Sequence, residues 1–355
     1  MRGRRRPLSV GVVAPLVAPL SDAHPYGNQH FLADLARGLG ERGHAVVVYA
    51  AAGSRVPGVR VETVDVLPAA RRRFVLLRDN APGESRAMAH AFAALFARLR
   101  RNGHDVVSQH AFDREALTGS AGVPVLHTLH LPPMRSDMIE AVRACDGAVA
   151  SVSNTCAALW REALGRDVVA LPNGVPDFEA APAGVVEDVA IVAGRISAEK
   201  GTAIAIRAAR AAGLRPLVVG EVYDADYFAR DVLPLLGSDV VDTLARHELA
   251  RRMARAAVTL MPIAWDEPFG LVAAESRLAG CPVVGYRRGA LPEVVEDGVG
   301  GWLVDPDDEE ALVPAIRRAR RLDRAALRAV AARRFSMDAC VTRYEAALER
   351  ITCAA

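Results

Sequence analysis

Lysine is almost missing from this chain: among 44 basic side chains, Lys200 is the one lysine and the others are arginine. Any chemistry that needs a second lysine has no candidate. Cysteine is sparse as well, with Cys145, Cys156, Cys281, Cys340 and Cys353 scattered and in no metal-ligand spacing. An odd, dispersed set fits reduced thiols in the cytoplasm and does not suit a disulfide framework. No apolar run reaches the ~20 residues of a membrane-spanning helix, and no tract is of low complexity. The net charge of +2 supplies no overall field for nucleic acid. The basic stretch Arg2 to Arg6 and the apolar stretch Leu8 to Leu20 have the outline of a secretory leader. Pro15 and Pro19 interrupt the apolar run and no small-x-small cleavage site follows, so Val10–Ala14 is expected to be a buried first strand.

What is present is globular: 355 residues, 51% hydrophobic and 24% charged, long for one domain and comfortable for two. In the N-terminal half, strands are expected at Val10–Ala14, Ala45–Tyr49, Asp105–Gln109, Pro124–Leu129 and Ala148–Ser153. Helices are expected at Gln29–Gly40 and Glu84–Arg100, with Phe31, Leu32, Leu35 and Leu39 as the inward face of the first. Continuous β-branched runs alternating with helices predict a parallel sheet covered on both faces, with ligands beyond the carboxyl ends of its strands. Gly27 and Asn28 would lie in the loop after the first strand, where glycine lets backbone approach a ligand. His110 and His130 end strands. His127 and His130, three apart, face opposite sides of a strand and cannot share a metal. By themselves both strand-end histidines read as hydrogen-bonded structural residues. Asn154 and Thr155 are expected to cap the following helix. Arg71–Arg73 beside Phe74–Leu77 has the makings of a weak peripheral membrane contact, a solvated basic face being the alternative.

Two stretches of the C-terminal half carry chemistry. The apolar strand Ala257–Pro262 leads through Trp265-Asp266-Glu267-Pro268-Phe269-Gly270 into a short helix at Leu271. A helix N-terminus offers free N–H groups and partial positive charge, which suits phosphate. Glu267 and Glu275 bracket that start, and carboxylates accept hydrogen bonds only, so they suit hydroxyls. Phosphate and hydroxyls together describe a nucleotide sugar. Upstream, the strand Val189–Gly194 runs into Arg195 and Lys200, which flank a turn at the start of another helix. Two cations and free N–H groups there suit a diphosphate.

The Glu-x7-Glu spacing from Glu267 to Glu275, with its Pro-Phe-Gly turn, resembles the signature of the retaining glycosyltransferases of family four. Gly194-Arg195-Ile196-Ser197-Ala198-Glu199-Lys200-Gly201 is similar to that family's diphosphate-binding segment, and Thr128-Leu129-His130 to its Thr-x-His segment. Pro172-Asn173-Gly174, Arg287–Glu293 and Gly301–Val304 also look like the family. Almost the whole chain is covered, most specifically residues 194–201 and 262–304. Where relatives often carry Gly-Gly, this chain has Gly27-Asn28.

The resemblance implies an α/β fold of the GT-B type, two Rossmann-like parallel-sheet domains facing across a cleft. Residues 1–175 would form an acceptor-binding domain and 176–335 a nucleotide-sugar-binding domain, with 336–355 a terminal helix crossing back to the first. It implies metal-independent transfer of a sugar from a nucleoside diphosphate sugar to a hydroxyl acceptor, a small molecule or glycan, by a front-face route and with no cofactor. His130, Glu267, Arg195 and Lys200 would be catalytic. Gly27, Asn28, Gly194, Arg195, Lys200, Phe269, Gly270, Leu271 and Glu275 would bind the donor, Glu275 at the ribose and Glu267 at the sugar. A glycan phosphorylase of this fold would need a lysine for pyridoxal phosphate beyond Lys200. The remaining alternatives are another enzyme of this fold, such as a sugar-nucleotide epimerase, and a non-catalytic nucleotide-sugar-binding or partner-subunit protein.

Overall fold

The computed structural model describes residues 6–20, 27–66, 82–178, 184–237 and 241–354. The chain forms two compact units, Met1–Gly174 with Met337–Ala355, and Val175–Ser336. The basic run Arg71–Arg73 and the apolar Phe74–Leu77 lie outside the described residues. Among the described residues no helix is long and apolar enough to cross a membrane.

The first unit is built on a seven-stranded sheet: β1 (Ser9–Val13), β2 (Ala45–Ala51), β3 (Arg60–Val64), β4 (Val106–Gln109), β5 (Val125–Leu129), β6 (Ala148–Ser151) and β7 (Val169–Ala170). Its order is β3-β2-β1-β4-β5-β6-β7, with every pairing parallel. Parallel neighbours need crossovers, and helices supply all but the β2–β3 connection: α1 (Gly27–Glu41), α2 (Pro82–Asn102), α3 (Arg114–Gly119), α4 (Ser136–Ala144) and α5 (Asn154–Leu164). Helix α1 buries Phe31, Leu32, Leu35 and Leu39 in the same core as Val10, Val12 and Val48 of the sheet. The chain order reverses between β1 and β4, and in such sheets that switch point is where loops part to admit a ligand.

The second unit repeats the plan with β8 (Glu187–Ala193), β9 (Arg215–Val219), β10 (Val241–Asp242), β11 (Ala256–Met261), β12 (Val283–Tyr286) and β13 (Gly301–Val304), in the order β10-β9-β8-β11-β12-β13. All its pairings are parallel too. Its switch point lies between β8 and β11, the two strands that feed the Arg195–Lys200 turn and the Glu267 turn. The covering helices include α6 (Thr202–Ala211), α7 (Ala225–Tyr227), α8 (Leu233–Leu236), α9 (Arg246–Arg255), α10 (Leu271–Leu278), α11 (Leu291–Val295), α12 (Glu309–Ala319) and α13 (Arg324–Phe335). A π-helical turn, Phe228–Val232, separates α7 from α8.

The last helix, α14 (Met337–Ala354), belongs to the first unit. Cys340, Tyr344 and Leu348, spaced by four, are fully buried against β-sheet and α1 residues. Its polar edge is pinned where Arg42 donates to Glu345 and Asp338, each at 2.5 Å, and His44 lies 3.1 Å from Glu345.

Two local expectations are corrected, and one strand went unpredicted. Gly27 and Asn28 are not in a loop but open α1, which starts two residues before Gln29; the side chain of Asn28 is outside the description. The cap of α5 is Ser153, whose hydroxyl accepts from the Cys156 N–H at 3.0 Å, because only a residue before the helix has the extended backbone that aims its oxygen at that donor. Asn154 is already helical. Strand β3 gave no continuous apolar signal: at the sheet edge, Arg60 and Glu62 remain partly exposed beside buried Val64.

His127 and His130 do face opposite ways. His127 is fully buried, with Nε2 at 3.0 Å from the Asp146 carbonyl, and burial pushes its imidazole down to about 4. The unfolded chain therefore takes up a proton first as pH falls. This contribution is intact above about 6.5 and is lost on the way down toward pH 4. In His127→Gln, whose amide nitrogen reaches the same carbonyl, the decline of stability across that window should be shallower by up to ~1.4 kcal/mol per pH unit. Denaturant unfolding at several pH values measures it, and identical slopes for parent and variant would refute it.

Candidate functional site

At the switch point of the second unit, β8 ends at Ala193 and the chain turns through Gly194 and Arg195 into a 3-10 turn, Ala198–Lys200. Gly201 follows in the left-handed region, φ 67°. A Cβ at that position would lie 2.0 Å from the Pro262 carbonyl oxygen. Glycine is required there twice over, by its backbone angle and by the approach of the strand end. The Ala264 N–H donates to the Glu199 carbonyl at 2.9 Å and completes the seam. Two segments 60 residues apart in sequence are in this way fastened edge to edge.

The fastening brings Lys200 onto Glu267. Lys200 Nζ is 2.6 Å from Glu267 Oε2, and the Trp265 indole N–H donates to the same oxygen at 3.0 Å. The ammonium also lies 5.3 Å from the centre of the Trp265 ring, within cation–π range. Glu267 is fixed from the other side by the segment Arg288–Ala290. The Ala290 N–H donates to the Glu267 carbonyl at 2.8 Å, and a Cβ on Gly289 would lie 2.4 Å from the Glu267 backbone nitrogen. Neither Trp265 nor Gly289 stands out in the sequence as part of this site; their signal was adjacency to recognised motifs.

Helix α10 begins just after Glu267. Gly270 precedes it with φ 92°, and no side chain caps its N-terminus. Phe269 is buried edge-on against Phe335, with ring centres 5.9 Å apart, which anchors the turn from beneath. Further into the helix, Glu275 Oε1 is 3.6 Å from Arg246 Nη2, and the Arg246 guanidinium lies over the Phe178 ring at 5.2 Å. Arg246 opens α9 and was not expected. Arg195 faces Glu199 at 3.7 Å and stacks over Tyr223 at 4.7 Å. Tyr223 is thus a platform for the cation, while Tyr227 packs inward and its hydroxyl accepts the Ala203 N–H at 3.0 Å. Arg195, Lys200, Glu267, Phe269, Gly270, Leu271 and Glu275 all lie on the loops and helix starts around one switch point.

The first unit gathers a different group at the end of β4 and β5. His110 Nδ1 is 2.9 Å from His130 Nε2, and Ser108 Oγ is 2.8 Å from His110 Nε2. Phe31 meets both rings edge-on, and Tyr344 of α14 stacks on His110. Burial pushes His130 down to about 3 and holds His110 well below the usual imidazole range, so both rings are neutral at physiological pH. Nearby, burial raises the Asp113 carboxyl to about 7, with Glu115 adding to the shift and Arg135 opposing it. Nothing adjacent to Asp113 in the chain distinguishes it; its signal is environmental. Among the described residues no group of three or more His, Cys, Asp or Glu side chains is placed to hold a metal ion.

Comparison with known proteins places the chain among glycosyltransferases. The family described as "Glycosyltransferase Family 4" matches residues 27–177, and that described as "Glycosyl transferases group 1" matches residues 178–333. A D-inositol 3-phosphate glycosyltransferase of Thermobifida fusca is 27% identical, over 82% of this chain and 80% of its own. Among solved structures, sucrose-phosphate synthase of Thermosynechococcus elongatus superposes with a TM-score of 0.80 at 18% identity, covering 99% of this chain and 100% of the other. Anabaena HepE, solved with UDP and glucose, gives 0.74 at 20%, covering 96% and 99%. The shared architecture is the α/β GT-B fold.

The seam at Gly201 makes a measurable claim. Gly213 has a similar backbone angle, φ 75°, with nothing within 4 Å of a Cβ. Gly213→Ala should therefore lose only the left-handed backbone cost of ~1–2 kcal/mol, whereas Gly201→Ala adds a collision with Pro262 and should lose clearly more. Equal losses in denaturant unfolding would show that the two segments are not tightly seamed.

Proposed function

The chain belongs to the glycosyltransferases of the family-four type, and from that membership we propose that it transfers a sugar from a nucleoside diphosphate sugar to a hydroxyl of a small acceptor, with retention of anomeric configuration. The observation that carries the reading is the single ion-paired cluster of Lys200 and Glu267 at the open start of α10, with Arg195 on one side and Glu275 on the other. Lys200 and Arg195 neutralise the diphosphate. As the bond from the anomeric carbon to the phosphate oxygen breaks, they and the N-terminus of α10 stabilise the charge that grows on the leaving group. Glu267 accepts hydrogen bonds from donor sugar hydroxyls and Glu275 from the ribose. His130, neutral, offers a hydrogen bond to the donor sugar. The acceptor hydroxyl attacks from the face the phosphate leaves, and the departing phosphate oxygen takes its proton. This route needs no nucleophile from the protein and no metal ion. A nucleotide-sugar donor is supported by HepE, solved with UDP and glucose, and a small polyhydroxylated acceptor by the relatives named for D-inositol 3-phosphate.

Thermal unfolding with UDP, GDP, ADP and dTDP tests the donor site. One base at about a hundred times its dissociation constant should add ~2.7 kcal/mol of stability, and Lys200→Ala combined with Arg195→Ala should remove the shift. With that donor class, Glu267→Gln should lower kcat by about 10²–10³, and the product's anomeric proton coupling in NMR should match the donor's. If no nucleotide stabilises the protein at millimolar concentration, the catalytic reading falls and a non-catalytic binding role replaces it.

A further inference from the structure

The Ser108–His110–His130 chain contains more than a packed pair of histidines. Both rings are neutral, so one hydrogen lies between His110 Nδ1 and His130 Nε2, and only two arrangements of protons satisfy the whole chain. In one, His130 Nε2–H donates to His110 Nδ1 and His110 Nε2–H donates to Ser108 Oγ. The serine hydroxyl proton then needs a further acceptor. Ser108 is fully buried, and its one described side-chain hydrogen bond is to His110. In the other, Ser108 O–H donates to His110 Nε2, His110 Nδ1–H donates to His130 Nε2, and the one hydrogen left over is on His130 Nδ1, on a ring that is only partly buried and can meet solvent or a ligand. A buried donor without an acceptor is the costlier defect, which selects the second arrangement.

We infer that Ser108 and His110 are positioning residues that hold His130 in its Nδ1–H form, so that this imidazole presents a hydrogen-bond donor, and not an acceptor, to a ligand oxygen beyond the carboxyl end of its sheet. Free histidine in water favours the other tautomer, with hydrogen on Nε2, so the protein is selecting against the intrinsic preference. The ring planes are held for the purpose: Phe31 lies edge-on to His130 at 5.8 Å, and Tyr344 stacks on His110 at 5.8 Å. A fixed N–H donor discriminates by chemistry. It accommodates a hydroxyl or carboxylate oxygen and opposes an ammonium group, which has no lone pair to offer. The consequence for catalysis rests on the transfer reaction proposed above; the tautomer itself does not.

Spectra of the full-length protein labelled with 15N-histidine read which ring nitrogen carries hydrogen, with His110→Asn and His130→Gln used for assignment. Hydrogen on Nδ1 of both His110 and His130 is expected. Hydrogen on Nε2 of His130 overturns the inference whether or not the protein transfers sugar. Three variants then test the role. His110→Asn places an amide N–H where Nδ1–H stood and should keep kcat/KM for the active donor within about threefold. His110→Phe and Ser108→Ala should lower it by about ten- to a hundredfold, with nucleoside diphosphate affinity unchanged in all three. Ser108→Ala removes only one oxygen and guards against a misfolded phenylalanine variant. If the tautomer is as expected but Ser108→Ala and His110→Phe transfer sugar like the parent, the positioning role is wrong. If the parent binds no nucleotide sugar, the functional reading fails, and the spectra alone decide the tautomer.

Discussion

The approach of Gly201 to the Pro262 carbonyl is the constraint from which the charged site follows. A doubly wound sheet leaves two loops diverging at its switch point, and divergence alone would put the Arg195–Lys200 turn and the Glu267 turn on opposite walls of a gap. The missing Cβ of Gly201 and the hydrogen bond from Ala264 to Glu199 close that gap at its base. Lys200 then extends over Trp265 to Glu267. The site is thus a consequence of backbone packing first and of charge second.

Energetically the Lys200–Glu267 pair is a poor source of stability. Both side chains are mostly withdrawn from water, 20% and 14% exposed, and desolvation offsets much of their attraction. In the proposed transfer its value lies in balance: neither charge is left alone while the site is empty, and both would exchange partners when a nucleotide sugar arrives. The identity of the cation matters. In a chain whose other basic residues are all arginine, a lysine stands where a charge must change partners. Arginine's planar fork suits a fixed carboxylate or a stacked platform, as Arg195 over Tyr223 and Arg246 over Phe178 illustrate. An ammonium on a flexible stem can turn from a carboxylate to a phosphate with little rearrangement.

Much of this was legible in the sequence, for identifiable reasons. Buried strands such as β1 and β11 announced themselves because a parallel sheet covered on both faces favours nearly continuous apolar residues. β3 did not, because an edge strand keeps one side wet. The carboxylates, Arg195 and Lys200 were found because glycine-bounded turns between a strand and a helix have few alternatives. Arg246 was missed because its role comes from what it touches across a long sequence gap; Trp265 and Gly289 lie inside recognised stretches, but their contacts with Glu267 follow from the folded turn. Asp113 is the same case in another form: a carboxyl pushed up to about 7 is a property of its surroundings. His110 was read as an ordinary hydrogen-bonded histidine, and it is one, but its partner is His130.

The neutrality of those histidines has a physical rationale in the proposed transfer. As a glycosidic bond to phosphate breaks, negative charge gathers on the leaving oxygen while the anomeric carbon acquires oxocarbenium-like positive character. Cations help the first and harm the second. Arg195 and Lys200 belong to the segment assigned to the diphosphate, so their charge acts on the atom that becomes negative. A protonated His130 against the sugar would repel the carbon that becomes positive. Burial keeps that imidazole uncharged down to about pH 3, far below any working pH. It can then hold a sugar oxygen by a neutral hydrogen bond, which fixes orientation without adding a charge. The apolar packing of Phe31 and Tyr344 around the histidines is, on this view, an electrostatic device: it removes water so that the rings cannot afford a proton.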